Sequence, residues 1–303
     1  MVKAMTSSFT TERHRFDSNG DTLVANLHRP IDVDGEAAPI VVVTGSWTTV
    51  KEQQADFYAR HLAANGMTAL TFDFRGFGQS TGDIRDLEDP ARKVADVNAA
   101  VDYAQTIAGI DPDRIGALGV CASCGYQAVN AATDDRVQAI GMVAPWLHNI
   151  DLVAPYYGDA EGVAARRQLA ADARELFERT GEVTFMPAIS ETDKSAAMFG
   201  PFDYYLDPER GAIPEWDARV AVMSWEPWLT FDPISSASSI DIPVKIIHSE
   251  DGAVPDGTKQ FYAGLAGPKD IIWTSGSQLD FYDQPAQVAV AVPAIVEHFD
   301  TTL

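Results

Sequence analysis

The sequence predicts an α/β fold in which a mostly parallel sheet is covered by helices on both faces. Short apolar runs rich in β-branched residues alternate with helical segments along most of the 303 residues, which is typical of a buried parallel sheet. The alternation breaks once, between Pro145 and Asp241, where aromatic residues are concentrated. We therefore predict a core of residues 1–145 and 241–303, with residues 146–240 inserted after the sixth strand.

Eight runs have the character of strands. The first two form a predicted hairpin, because they alternate apolar and polar residues around Asn19-Gly20, a pair typical of tight turns. Most of the others are short and continuously apolar, as expected of parallel strands buried on both faces. The eight runs are Phe9 to Phe16, Thr22 to His28, Ile40 to Val43, Thr68 to Phe72, Arg114 to Val120, Val137 to Val143, Val244 to Ile247 and Ile271 to Thr274.

Helical periodicity lies between these runs. In the core it covers Glu52 to Asn65, Ala91 to Ile107, Ala122 to Ala132, Thr258 to Leu265 and Gln287 to Phe299. The inserted segment has one clear helix, Gly162 to Arg179. Any one of its aromatic residues could belong to the core of a small domain. As a set they predict an apolar lid over a pocket, because open α/β sheets bind ligands at the carboxyl edge of their strands.

Charge and cysteine content exclude several classes of partner. The formal net charge is -22, and so acidic a surface repels nucleic acids and anionic membranes. The two cysteines, Cys121 and Cys124, lie in one short segment and cannot crosslink distant parts of the fold, which is typical of a reducing compartment. No apolar run approaches the ~20 residues of a membrane span. Met1 to Thr11 lacks an apolar signal-peptide core. We expect a cytoplasmic protein.

The segment Gly119-Val-Cys-Ala-Ser-Cys-Gly125 has the pattern of a nucleophile elbow. A buried strand runs directly into it and a helix follows, with small residues where strand and helix backbones crowd together. Counting from the strand places Cys121 at the nucleophile position, and Ser123 is the alternative centre. A small buried cysteine in an ordinary turn would give the same residues without the chemistry.

Three segments resemble the α/β-hydrolase superfamily, and in particular its branch related to dienelactone hydrolases and fungal polyketide transferases. They are Gly45 to Gln53, Phe72 to Ser80 and Leu118 to Tyr126. The resemblance continues in Met223 to Trp225, Ile247 to Asp251 and Leu279 to Pro285. It therefore covers nearly the whole chain and implies an α/β-hydrolase fold.

The resemblance also implies roles for individual residues. The backbone amides of Ser46 and Ala122 would be the oxyanion donors. Asp251 matches the catalytic acid, with Glu250 as the alternative, and Gln278 stands where a histidine base is expected. An amide does not titrate near neutral pH, so Gln278 cannot shuttle a proton between the nucleophile and a leaving group. We therefore expect ester hydrolysis to be absent or severely slowed.

Other candidate residues follow from position. The predicted substrate-binding side chains are Trp47, Trp146, His148, Tyr156 and Trp225. His148 and His248 follow the sixth and seventh strands, and either could approach the elbow. We predict no cofactor and no metal, because no histidine and carboxylate spacing resembles a zinc or calcium site, and because Gly76 and Gly78 do not complete a dinucleotide-binding motif.

Three functions remain open. The leading one is an enzyme acting on an acyl, ester or lactone carbonyl of an apolar or aromatic small molecule, by hydrolysis, acyl transfer or cyclisation of a polyketide-like substrate. The second is a catalytically inert ligand-binding protein. The third is a lyase or cyclase that forms no acyl-enzyme. Gln278 fits an engineered replacement, a natural enzyme needing no histidine base, or an inert binder. A homodimer is compatible with all three functions.

Overall fold

An eight-stranded sheet forms the centre of the computed structural model, which describes residues 8–31 and 37–303. Its strands are β1 Phe9–Ser18, β2 Asp21–Pro30, β3 Ala38–Thr44, β4 Thr68–Phe72, β5 Ile110–Val120, β6 Val137–Val143, β7 Val244–Ser249 and β8 Lys269–Thr274. They are arranged in the order β1-β2-β4-β3-β5-β6-β7-β8. β2 pairs antiparallel with β1 and β4, and every other pairing is parallel. The predicted mostly parallel sheet is confirmed.

The strand ends differ modestly from the prediction. The hairpin turn is confirmed, since Asn19 and Gly20 both have positive φ, 54° and 88°, as a tight turn between twisted strands requires. β5 begins at Ile110 rather than Arg114, and its pairing with β3 shifts register after Ile110 pairs with Ala38. Proline and aspartate are rare in strands, so Asp111-Pro112 concealed this extension.

Six longer helices accompany the sheet. They are α1 Gln54–Ala64, α2 Pro90–Ala104, α3 Ser123–Ala131, α4 Asp159–Thr180, α5 Pro255–Gly264 and α6 Pro285–Thr302. The Asp89 side chain caps α2 by accepting from the amides of Ala91 and Arg92, at 3.0 and 3.2 Å, which explains why the helix begins at Pro90. α2 packs against α3, and α1 packs against α6. These two pairs cover the two faces of the sheet.

The core follows from the apolar strands and from close approach of α6. Val41, Val42 and Val43 of β3 are fully buried. On β5, a Cβ at Gly116 would lie 2.9 Å from the ring of Phe299 in α6. A larger residue at Gly116 would therefore push the last helix away from the sheet.

The segment between β6 and β7 contains α4 and several short elements. Its short α-helices are Ile150–Val153, Asp203–Leu206 and Trp225–Thr230, and its 3-10 helices are Ala154–Tyr157, Val222–Ser224 and Ile234–Ser239. Phe185–Pro187 pairs with Arg219–Ala221, and Ile189–Ser190 pairs with Met198–Phe199. One more short helix, Asp280–Asp283, follows β8. We call residues 144–243 the insertion; its predicted division from the core as a separate unit stays a prediction.

The insertion is hydrogen-bonded to the core. Trp216 Nε1 donates to the carbonyl of Thr48 at 2.9 Å, and the Ser224 hydroxyl accepts from the amide of Glu88 at 2.9 Å. The predicted helix Gly162 to Arg179 lies within α4. Among the helices of residues 8–31 and 37–303, none combines the length and apolar character needed to cross a bilayer.

Candidate active site

A cavity of about 710 Å³ lies where the loops after β3, β5, β7 and β8 meet the insertion. Those loops contribute Ser46, Cys121, Ala122, Asp251 and Gln278 to its wall. The structure therefore brings all five predicted catalytic residues to one cavity. The insertion contributes further residues to the wall, among them Trp146, Tyr156, Tyr157, Arg166, Phe202 and Tyr205.

The turn after β5 has the geometry of a nucleophile elbow. Cys121 has φ +59°, a left-handed conformation that costs a non-glycine residue about 1–3 kcal/mol. Its amide donates to the carbonyl of Val143 and its carbonyl accepts from the amide of Trp146, both at 3.0 Å. A Cβ at Gly119 would lie 2.6 Å from backbone atoms of Cys124. Only glycine at position 119 therefore lets the helix turn back so closely after the strand.

The structure separates the two candidate nucleophiles, Cys121 and Ser123, and also places Cys124 of the same turn. Cys121 is 5% exposed and lines the cavity. Ser123 is fully buried, and its hydroxyl donates to the carbonyl of Gly45. Cys124 is also fully buried, and burial, with a smaller effect of neighbouring Cys121, raises the pKa of its thiol. Of these three side chains, only that of Cys121 can meet a substrate.

The loop after β3 presents the second predicted oxyanion donor. Within the described part of the chain, neither the Ser46 amide nor the Ala122 amide has a hydrogen-bond acceptor. The loop is held by its neighbours: Thr49 Oγ1 donates to the Ser46 carbonyl at 2.8 Å, and the Thr48 amide donates to Glu88 Oε2 at 2.7 Å. Two amides beside the cavity thus remain available for a ligand oxygen.

Glu88 is the centre of a buried polar network beneath this loop. Besides the Thr48 amide, it accepts from Lys93 Nζ at 2.7 Å and from the Tyr126 hydroxyl at 2.5 Å. Lys93 also lies 4.3 Å above the ring of Phe77. All of these side chains are buried, and burial lowers the pKa of Lys93. The network joins the loop after β3 to α2 and, through Tyr126, to α3, the helix after the elbow.

Gln278 is fixed between two backbone groups. Its Oε1 accepts from the Ala253 amide at 2.8 Å, and its Nε2 donates to the Ala144 carbonyl at 2.7 Å. No hydrogen bond joins it to Asp251 or to Cys121 within the described residues. Asp251 lines the same cavity with an exposed side chain. The three residues therefore line one cavity without forming the hydrogen-bonded relay that moves a proton.

Two tyrosine hydroxyls that the sequence did not single out as catalytic candidates lie at the elbow. The hydroxyl of Tyr282 is 3.4 Å from both Gln278 Nε2 and Ser46 Oγ, and Tyr282 is close enough to Cys121 for charge on the thiol to affect the pKa of Tyr282. Tyr205, from the insertion, lies 2.8 Å from Ser46 Oγ. Burial raises the pKa of Tyr282 well above its usual value, so this hydroxyl stays protonated. Tyr282 follows Gln278 by four residues, a spacing that brings side chains together where the chain turns helically and that could have indicated their proximity.

A family model matches residues 19–198, and its description is X-Pro dipeptidyl-peptidase (S15 family). The chain belongs to this family. Among its relatives, protein PA2218 of Pseudomonas aeruginosa is 30% identical over 282 residues, which cover 88% of this chain and 74% of PA2218. Acyltransferase drtE of Aspergillus calidoustus is 27% identical over 85% of this chain and 83% of its own. Thiohydrolase aneE of Aspergillus aculeatus is 27% identical over 78% and 77%.

Solved structures show the same fold for this S15-family chain. The crystal structure of PA2218 superposes with a TM-score of 0.86 at 24% identity, covering 99% of this chain and 96% of PA2218. The α/β hydrolase GrgF from Penicillium sp. sh18 gives a TM-score of 0.76 at 18% identity, covering 97% and 99%. The predicted α/β-hydrolase fold and superfamily are confirmed, and the chain is a hydrolase- or acyltransferase-like member.

The predicted substrate-binding residues divide into two groups. Trp47, Trp146 and Tyr156 line the cavity. His148 and Trp225 do not, and both are buried behind its wall. Direct substrate contact by His148 and Trp225 is therefore not supported by the structure. Sequence position alone does not show whether a side chain lines the cavity or is buried behind the aromatic residues that form its wall.

His148 and His248 are placed as structural residues rather than bases. His148 Nδ1 accepts from Trp146 Nε1 at 3.1 Å, and its Nε2 donates to the carbonyl of Trp228 at 3.0 Å. His248 is buried, packs against Trp273 and lies outside the cavity wall. Burial lowers the pKa of each imidazole to about 4. Neither imidazole lines the cavity that holds Cys121.

Lowering the pH should destabilise the folded protein, because His148 is protonated less readily in the fold than in the unfolded chain. Burial lowers the pKa of His148 to about 4, whereas an imidazole in the unfolded chain has a pKa of ~6.5. Since the unfolded state binds more protons between these values, the stabilisation is complete above about pH 6.5 and is lost as the pH falls towards 4, by up to ~1.4 kcal/mol per pH unit. Urea denaturation at pH 5 and pH 7 measures it. His148→Gln should lose less stability on acidification, and an equal loss in both proteins would contradict the assignment.

Proposed function

We propose that this protein transfers acyl groups through a thioester formed on Cys121. The observation that carries the proposal is a cysteine in a left-handed elbow, facing a cavity beside two unpartnered amides, those of Ser46 and Ala122. Donors placed in this way stabilise the oxyanion that develops when a carbonyl is attacked. The names of the relatives drtE and aneE, an acyltransferase and a thiohydrolase, describe chemistry at acyl carbonyls and support this choice.

The proposed reaction has two half-reactions. In the first, the Cys121 sulfur attacks the carbonyl carbon of a donor R–CO–XR′; the bond from that carbon to X breaks, and the released XR′ group takes up the proton that the thiol gives up, so that HXR′ is the first product. In the second, an acceptor R″–YH attacks the thioester carbon, the carbon–sulfur bond breaks, and the proton of the acceptor returns to sulfur. The amides of Ser46 and Ala122 donate to the carbonyl oxygen in both tetrahedral intermediates.

The polar groups around Cys121 favour a thioester as the donor. Gln278 does not titrate, and the Tyr282 hydroxyl, whose pKa is raised by burial, is a hydrogen-bond donor rather than a base at neutral pH. A leaving thiol has a pKa of ~8.5 and departs readily as thiolate, whereas an alkoxide requires a proton.

The lack of a titratable side chain at position 278 also affects which acceptor is favoured in the second half-reaction. Water is activated poorly without a base, so hydrolysis should be slow. An acceptor in the same molecule gains an effective concentration as high as ~10⁵–10⁸ M when well oriented. This argument favours acyl transfer or cyclisation within an apolar or aromatic substrate over simple hydrolysis.

The proposal is tested by offering the same acyl group to the protein as a thioester and as an oxygen ester. The octanoyl thioester of N-acetylcysteamine and ethyl octanoate are each incubated with the protein, and the intact mass is measured. We expect one octanoyl group added from the thioester, located on Cys121 by peptide mapping, and little addition from the oxygen ester. No adduct from either compound, together with measurable binding, would favour the inert ligand-binding protein.

Restoring a titratable base should convert the protein into an esterase. In Gln278→His, an imidazole would stand in the cavity wall that also holds Asp251. General-base catalysis is typically worth ~10²–10⁴-fold, so hydrolysis of a short p-nitrophenyl ester should rise by at least about 10²-fold. Gln278→Leu, which removes the amide without adding a base, is the matched control and should show no gain. Rapid hydrolysis by the unchanged protein would contradict the expectation.

A further inference from the structure

The cavity wall holds an arginine whose charge has no counterion. Arg166 lies on α4, is half-buried and lines the cavity. Its Nη1 donates to the carbonyls of Tyr157 and Gly162, at 2.8 and 3.2 Å. Within residues 8–31 and 37–303, Nε and Nη2 have no hydrogen-bond acceptor, and no carboxylate lies within ion-pairing distance. Three N–H groups of Arg166 therefore remain available to a ligand.

The lack of a carboxylate partner sets Arg166 apart from the other arginine that lines the cavity. The chain has 44 aspartates and glutamates against 22 lysines and arginines, yet none of the described carboxylates lies within ion-pairing distance of Arg166. The other arginine of the cavity, Arg210, forms an ion pair with Asp283 at 2.6 Å. Partial burial removes water from Arg166 and lowers its pKa, which is a cost that no carboxylate offsets. A ligand anion would offset it.

The guanidinium is held in place before a ligand arrives. It stacks over the rings of Tyr157 and Trp225, with its carbon 5.1 Å from each ring centre. Trp225 in turn lies 5.8 Å from Trp47, next to the predicted oxyanion donor Ser46. Tyr157 is close enough to Cys121 and to Arg166 for charge on either to affect its pKa. An aromatic layer therefore connects the elbow to the arginine.

We propose that Arg166 binds an anionic group of the acyl donor while the apolar part of the donor lies along the cavity wall. This deepens the proposed function and rests on it. A planar guanidinium matches the paired oxygens of a carboxylate or a phosphate. Lys194, on the same wall and without an ion pair in the described chain, adds a second positive charge. The anion is either a carboxylate on the acyl group or a phosphate on the carrier arm of a thioester.

The cavity carboxylates do not occupy this position. Asp203, Asp251 and Asp280 also line the cavity, but none forms an ion pair with Arg166. Asp280 instead accepts from the amide and the hydroxyl of Ser277, at 2.6 and 2.9 Å. The positive charge of Arg166 thus remains for a ligand.

Equilibrium binding tests the proposal without any turnover. Calorimetry compares octanoate with octanamide, and 4′-phosphopantetheine with pantetheine, on the unchanged protein, on Arg166→Gln and on Arg167→Gln. Arg167 is the next residue of α4, is exposed and lies outside the cavity wall, so its variant carries the same change in net charge. We expect one anion to bind roughly 10- to 100-fold more tightly than its neutral partner, the range typical of hydrogen bonds to charged groups.

The outcomes are distinct. The preference should disappear in Arg166→Gln and persist in Arg167→Gln; preference for octanoate assigns the anion to the acyl group, and preference for phosphopantetheine assigns it to the carrier. Equal affinity for anion and neutral partner, or a preference that survives Arg166→Gln, overturns the proposal. Failure of acyl-enzyme formation would instead refute the proposed function and leave this binding result intact.

Discussion

Replacing Cys121 with alanine should abolish acyl transfer, with a loss of about 10³-fold or more in kcat/KM. The elbow presents this thiol to the cavity, and no other cysteine of the chain lines it. The reaction cannot pass through a thioester without it, and the oxyanion donors alone supply only residual catalysis. The loss in kcat/KM is measured by using chromatography to monitor the release of N-acetylcysteamine from its octanoyl thioester.

Cys124→Ala is the matched control for this variant. Cys124 is fully buried, outside the cavity wall, so its loss should leave acylation intact and affect mainly stability. Cys121→Ser tests whether the thiol itself is needed, because an unassisted hydroxyl is a far weaker nucleophile without a base. If Cys121→Ala keeps most of its activity, a lyase or cyclase that forms no acyl-enzyme becomes the better explanation.

Replacing Lys93 with methionine should lower the free energy of unfolding by about 3–5 kcal/mol. Lys93 and Glu88 are both buried and paired at 2.7 Å. Removing the ammonium leaves a buried carboxylate without its counterion, retaining only the Thr48 amide and the Tyr126 hydroxyl as donors. Chemical denaturation followed by tryptophan fluorescence measures the change.

An exposed ion pair provides the comparison. Arg174 and Glu226 lie 2.8 Å apart at the surface, and Arg174→Met should cost only about 0–1 kcal/mol because water screens such pairs. Adding Glu88→Gln to Lys93→Met removes the uncompensated charge and should recover part of the loss. Equal effects of Lys93→Met and Arg174→Met would show that burial of the first pair is energetically unimportant.

Much of the fold could be predicted because its signals are local. Continuous apolar runs such as Val41 to Val43 identify buried strands, and Asn19-Gly20 identifies the hairpin turn. The elbow was also predictable, since the close approach of Cys124 to Gly119 requires glycine at a fixed distance from the strand. The sequence failed at β5, where Asp111-Pro112 interrupts the apolar pattern without ending the strand.

The remainder of the site depends on contacts between distant segments. Tyr205 and Tyr282 meet Ser46 only because the insertion and the loop after β8 converge on the loop after β3. Likewise, which aromatic side chains of the insertion face the cavity depends on packing rather than periodicity. Arg166 carries no local signal, because its significance lies in its place in the cavity wall and in the N–H groups that no described residue accepts.

Thr48 is bound from two sides, and this restricts the path by which molecules enter. Its amide donates to Glu88, and its carbonyl accepts from Trp216 of the insertion. Moving the part of the insertion that holds Trp216 outward would leave the buried carbonyl of Thr48 and the buried indole N–H of Trp216 without their hydrogen bond. Ligands should therefore enter at another part of the cavity wall, where Phe199 is 47% exposed and Lys194 is exposed. An incoming ligand would meet the apolar side chain of Phe199 and the positive charge of Lys194 before it reaches the interior of the cavity.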